Sequence, residues 1–273
     1  MKLLNGSDIA SFITERQARQ VRGLRQSYEI VPKLAIIQVK DDPVINTYVR
    51  LKEKYGEDIL VDVDTHKILQ QEVTATIKRL NSDQSVHGII VQLPLIDTSE
   101  TDTILNLIAP EKDIDGLGDN TIFDPATSMA IMWLLAGYNV ELKGKKVLLI
   151  GHGRLVGAPL EKMLLASGVT PEIADRDTTN IKDKALSADV IITAAGAPAI
   201  LHADMIKPNA VVVDAGVASE DGRTIGDVAP EVYERDDLTI TPVRGGVGPL
   251  TVCSLFDNVI RAARNSIAAT ESQ

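Results

Sequence analysis

Tyr48 and Lys52 stand four residues apart in PVINTYVRLKEKY, a spacing that puts both on one face of a helix, with Tyr55 on the next turn. Such a pair can meet a ligand together. A packed ring beside a snorkelling lysine leaves the same pattern. Gln92 stands at the carboxyl end of the apolar run in VHGIIVQLPL, the end where open parallel sheets place their ligands. It can face a ligand or merely satisfy backbone groups. KDIDG sets Asp115 beside Gly116 in a loop, where a carboxylate can meet a ligand or hold the turn.

A second constellation lies in KKVLLIGHGRLVGAP, where Gly151, Gly153 and Gly157 follow a strand and open a helix. Glycines there permit a tight turn and close approach of a pyrophosphate to the helix's positive end. The spacing is one residue longer than the common dinucleotide fingerprint. Asp175 ends the next predicted strand, where an acidic residue would bond an adenosine ribose and favour NAD. Arg154 and Arg176 flank the same place and suit a 2′-phosphate, as would a protonated His152, so both nicotinamide cofactors stay open. His66, His87, His152 and His202 are scattered without ligand spacing, and no metal is expected.

The elements that would carry these residues follow from alternating Val/Ile-rich runs and amphipathic stretches, the pattern of parallel sheets covered by helices. Helices are expected with Ser7 as cap (carrying Ile9, Phe12, Ile13, Val21 and Leu24), from Pro43 to a stop at Gly56, over 69–80 and 99–108, and from Ser128 to Tyr138 capped by Thr127. Strands are expected over 34–39, 59–63, 86–93, 147–150, 171–174, 189–194, 210–214 and 238–241, and a last helix over 250–268, before a fraying Thr270–Gln273 tail. A length of 273 residues favours two domains. The net charge of −10 opposes nucleic-acid binding, and no apolar run spans a membrane or forms a secretion signal, so a cytoplasmic protein with a small-molecule partner is expected. The single cysteine, Cys253, sits in an apolar stretch and reads as a buried, inert thiol.

Five blocks in order, YVRLKEK (48–54), VHGIIVQLPL (86–95), PEKDIDG (110–116), GHGRLVGAP (151–159) and GGVGPLT (245–251), resemble the bifunctional methylenetetrahydrofolate dehydrogenase/methenyltetrahydrofolate cyclohydrolase family. The resemblance implies an α/β folate-binding catalytic domain over 1–121, completed by a returning C-terminal helix over 249–273, and a Rossmann-like dinucleotide-binding domain over 122–248. It implies both reactions in one cleft of a homodimer acting on tetrahydrofolate derivatives. Lys52 matches the catalytic lysine, Gln92 the residue that holds it, Tyr48 the ring packed on folate and Asp115 the pterin carboxylate. Gly248 and Pro249 match substrate contacts. The cofactor set is Gly151, His152, Gly153, Arg154, Gly157, Asp175, Arg176, Gly196 and Thr251, with NADP as the family default and NAD allowed by Asp175. Lys54 matches a family lysine on another helical face, with a structural or substrate-tail role at most. Ile45 in place of a serine, Arg244 in place of a proline and Pro125–Ser128 in place of PCTP are departures that bear on the folate pocket.

Overall fold

A computed structural model describes residues 1–220 and 223–271. In chain order the elements are β1 (Lys2–Leu3), α1 (Gly6–Tyr28), β2 (Lys33–Gln38), α2 (Pro43–Ile59), β3 (Asp62–Lys67), α3 (Val73–Ser82), β4 (Gly88–Val91), α4 (Thr101–Leu105), α5 (Ala126–Gly137), β5 (Val147–Ile150), α6 (Gly157–Ala166), β6 (Glu172–Ala174), α7 (Ile181–Ser187), β7 (Val190–Thr193), β8 (Val211–Asp214), β9 (Ala218–Glu220), β10 (Arg223–Ile225), β11 (Thr239–Ile240) and α8 (Val247–Glu271). They fall into two compact units, one of residues 11–126 and 252–273, the other of residues 1–10 and 127–251.

In the first unit, the parallel sheet runs β3-β2-β4. Successive side chains of a strand point to opposite faces, so each apolar run feeds two cores. Leu34, Ile36 and Ile90 pack with α1, α2 and α8, through residues such as Val21, Val49, Phe256 and Val259. Ala35, Ile37, Ile89 and Val91 pack with Val73, Ile77 and Leu80 of α3 and with Ile104 and Leu105 of α4. The last helix thus completes this core, as its apolar pattern implies. Cys253 is buried within it, and burial raises its thiol pKa.

In the second unit, all six strands of the sheet β1-β11-β8-β7-β5-β6 are parallel. Chain order reverses at β5, which has β6 on one side and β7 on the other, so the loops after β5 and β7 diverge at a switch point. Residues 1–10 belong here rather than with residues 11–121 as expected, because β1 pairs with β11, Lys2 against Thr239 and Leu3 against Ile240. A short antiparallel pair, β9 and β10, was not visible in the sequence pattern.

Several boundaries differ from expectation for local reasons. Asn5, not Ser7, caps α1, accepting from the Ser7 amide at 3.1 Å. Phe12 lies outside the apolar face of that helix, 75% exposed. Asp42 and Pro43 open α2 as expected, with Asp42 accepting from Val44 and Ile45 amides. Gly56 does not end it: a Cβ there would lie 2.4 Å from Val63 Cγ2, so glycine permits close packing on β3, and Leu60 in the left-handed region closes the helix. The following strand therefore starts at Asp62 rather than residue 59. The 69–80 and 99–108 helices each begin as a 3-10 turn and continue as α3 and a shortened α4. α5 starts at Ala126, which puts Thr127 inside its first turn. The expected fraying at Thr270–Gln273 falls partly outside the described residues.

Candidate active site

Lys52 sits on α2 with its Nζ donating to Gln92 Oε1 at 2.8 Å. Gln92 is placed by the sheet: its amide continues the β2 ladder by donating to Ile37 O at 2.8 Å, one residue beyond β4. Its Nε2 donates to Leu93 O at 3.2 Å, which fixes the oxygen toward the lysine. Burial holds the Lys52 amine below the ordinary lysine value, and the nearby Asp115 carboxylate works against that shift. Burial also lifts the Asp115 carboxyl to about 6, opposed by Lys52 and assisted by Asp113. Burial brings the two pKa values closer to neutrality than free side chains would have, against the mutual attraction of the pair. Tyr48, one turn before Lys52, leaves its ring 37% exposed.

The Asp115 loop is anchored at both ends. Ile89 of β4 donates to Lys112 O at 2.8 Å, so the loop begins as a bridge to the sheet. The fully buried Asn258 of α8 donates from Nδ2 to Ile114 O at 2.9 Å and Asp124 O at 3.0 Å. Asp113 accepts from the Gly118 amide at 2.8 Å and tightens the turn after Asp115. Asn258 escaped sequence reasoning; its only signal is an amide among apolar neighbours of a helix. Lys112, also buried, donates to the carbonyls of Leu80, Asn81 and Asp83 at 3.0, 2.8 and 2.7 Å, holding the end of α3.

Other residues singled out by position have different partners. Tyr55 is a core residue: its hydroxyl donates to Gln17 Oε1 at 2.6 Å, and its ring lies 5.1 Å from that of Phe256. Lys54 is a surface lysine paired with Asp58 at 2.9 Å and Glu57 at 3.5 Å. Ile45 packs into the core with Leu34 and Val49, so this departure fills apolar space. Arg244 is exposed, and Ser128 donates to Val156 O at 3.0 Å.

The glycine turn in the second unit has the shape a dinucleotide requires. Gly151 has φ +95°, and a Cβ on Gly157 would fall 2.0 Å from Gly151 O, so helix and turn touch only because both are glycine. Around Gly153 there is open space, and the turn feeds the N-terminus of α6. These residues fit a pyrophosphate. His152 is engaged by Glu161 of α6, Nε2 to Oε2 at 2.7 Å, which competes with any phosphate. Asp175 accepts from the Asp177 amide at 3.1 Å and the Thr178 hydroxyl at 3.0 Å through Oδ1; these bonds hold its carboxyl below the usual range. Arg154 and Arg176 are exposed beside the turns that bear them. Gly196 follows β7 with φ +62°. Gly248 and Pro249 lie in the first turn of α8, where Gly248 is exposed, and the Thr251 hydroxyl lies 3.4 Å from Val247 O.

Comparison with known proteins covers both units. Residues 4–115 match the tetrahydrofolate dehydrogenase/cyclohydrolase catalytic domain, and residues 125–267 match the NAD(P)-binding domain of the same family. A bifunctional protein FolD of Exiguobacterium sibiricum is 36% identical, covering 96% of this chain and 99% of its own. The crystal structure of the bifunctional FolD methylenetetrahydrofolate dehydrogenase/cyclohydrolase from Campylobacter jejuni superposes with a TM-score of 0.91 at 37% identity, covering 97% of this chain and 99% of that one. The Trypanosoma brucei dehydrogenase-cyclohydrolase, solved with NADP and an inhibitor, gives a TM-score of 0.90 at 30% identity over 97% of this chain and 98% of that one.

Proposed function

Because this chain belongs to the tetrahydrofolate dehydrogenase/cyclohydrolase family, we propose that it oxidises 5,10-methylenetetrahydrofolate to the methenyl form and hydrolyses that product to 10-formyltetrahydrofolate. The observation that carries the reading is the 2.8 Å bond from Lys52 to Gln92 in a setting that lowers the amine's pKa. With one N–H donated to Gln92, the amine in its neutral form has its lone pair confined to the two remaining tetrahedral positions. It takes a proton from water as the oxygen adds to the methenyl carbon. The ammonium then returns a proton to N5 as the carbon–N5 bond breaks, and the hydroxyl proton leaves as the formyl group forms. Tyr48 offers its half-exposed ring to the folate, and Asp115 offers a carboxylate to the pterin's N–H groups. Gly248 and Pro249 supply further folate contacts.

The nicotinamide cofactor, when bound, takes up the hydride released in the oxidation. Gly151, Gly153, Gly157 and Gly196 let backbone approach it, with Thr251 as a hydrogen-bonding partner, and most of that step is positioning. NADP is the family's cofactor and would be met by Arg154 and Arg176; Asp175 admits NAD. The reading extends to a cytoplasmic homodimer with folate derivatives as its ligands; no helix among the described residues is long and apolar enough to cross a membrane. The test mixes purified protein with methylenetetrahydrofolate and either NADP or NAD, following reduced nicotinamide and the loss of methenyl product separately. Both signals are expected. Absence of nicotinamide reduction with either cofactor would remove the dehydrogenase assignment.

A further inference from the structure

One buried carboxylate and one half-buried carboxylate in the dinucleotide half face backbone amides instead of cations. Asp227, fully buried, accepts from the Ala195 amide through Oδ2 at 2.7 Å and from the Ala197 amide through Oδ1 at 2.8 Å. Asp214, at the end of β8, accepts from the amides of Gly216, Asp227 and Val228 at 3.0, 3.1 and 3.1 Å, and from the Thr193 hydroxyl at 3.2 Å. Among the described residues neither carboxylate forms an ion pair. The chain is cut to fit them: a Cβ on Gly216 would fall 2.0 Å from the Asp227 carboxylate, and one on Gly226 would fall 2.1 Å from Asp214 Oδ2. Burying a carboxylate without a cation is expensive, and apolar residues would fill the same space at less cost. The arrangement therefore calls for a use.

That use is visible in what Asp227 holds. Ala195 and Ala197 bracket Gly196 in the loop after β7, and this loop abuts the glycine turn: a Cβ on Gly151 would fall 2.6 Å from Ala195 Cα and N. We propose that Asp227 is a positioning residue for the dehydrogenase reaction, clamping the Ala195–Ala197 loop through its two amides so that Gly196 and the Gly151 turn present a fixed backbone surface to the cofactor. This rests on the reading that the dinucleotide lies along the loops after β5 and β7. Asp214 acts one step further back, holding the amide of Asp227 itself.

Asp227→Asn keeps the shape and removes one acceptor, since its NH2 group would face a backbone N–H. The expected result is a fall in dehydrogenase kcat/KM for the cofactor of about tenfold or more. The cyclohydrolase rate, which needs no cofactor, should stay unchanged, and so should the native emission of Trp133, the chain's single tryptophan, which lies in the same unit. Unchanged dehydrogenase activity, or dehydrogenase loss accompanied by loss of native Trp133 emission, would overturn the proposal. A second measurement needs no variant: amides of Ala195 and Ala197 in the unsubstituted, cofactor-free protein should exchange with solvent as slowly as those of β7. Exchange at the rate of an exposed loop would also overturn it. Failure of the underlying cofactor reading would show separately, as no cofactor binding by the unsubstituted protein.

Discussion

At Lys52 two influences oppose each other, burial drawing the amine's pKa down and Asp115 drawing it up, while Gln92 decides where the amine points. Gln92→Ala should therefore leave folate binding nearly intact and lower cyclohydrolase turnover by about 10 to 100-fold, within the range that positioned acid–base groups contribute. A steady-state assay separates the two: a large rise in KM with unchanged kcat would contradict the positioning role. Asp175 makes a second residue-level case. Its Oδ1 is committed to its own turn, and the charge shared over the carboxylate would repel a phosphate brought beside it. Asp175→Asn should shift the ratio of kcat/KM values toward NADP by about tenfold, a change of roughly 1.4 kcal/mol; no shift would place the ribose elsewhere. Tyr48, Lys52, Gln92 and Asp115 were legible in the sequence because each carries a motif or a spacing. Asn258 was not, since its partners Ile114 and Asp124 lie 144 and 134 residues away.

Elements hold these side chains, and their weak points are polar groups inside apolar surroundings. Asn258→Leu would leave the buried Ile114 carbonyl without this donor and release the Asp124 carbonyl, and should lower stability to urea by about 1–3 kcal/mol while loosening the Asp115 loop. A change under half a kcal/mol would show that the loop does not depend on α8. His87, buried before β4, accepts from the Lys33 amide through Nδ1 at 3.2 Å, and burial, with Lys112 and Lys33 adding to it, pushes its pKa down to about 4. An unfolded histidine titrates near 6.5, so between these values the unfolded chain binds the extra proton and stability falls as pH drops through the window. The loss is on the order of 3 kcal/mol, and His87→Gln should flatten it in unfolding curves at pH 7 and pH 4. An equally steep profile would assign the acid sensitivity to other groups. Strands such as VLLI at 147–150 were readable because they are buried on both faces. Helix ends were less so. Asn5 outcompetes Ser7 as a cap by accepting from the Ser7 amide, and Leu60 takes the left-handed position while Gly56 stays helical against Val63, competitions between near neighbours that residue preference alone does not resolve.

At the scale of the whole chain, two units of one polypeptide match the two domains of one family, and this agreement across nearly the full length supports a bifunctional enzyme. The α/β class followed from the alternation of runs, but the assignment of the first ten residues did not, because β1 finds its partner β11 more than 230 residues away. The proposed homodimer predicts sedimentation at twice the chain mass; a monomer at working concentration would remove it. The two proposed activities divide at Lys52, so the decisive measurement is Lys52→Met, assayed for nicotinamide reduction with methylenetetrahydrofolate and, separately, for hydrolysis of methenyltetrahydrofolate. The expected result is hydrolysis reduced by about a hundredfold or more, with reduction retained and methenyl product accumulating. Hydrolysis at the unsubstituted rate would contradict the central claim that this amine moves the protons of the cyclohydrolase step.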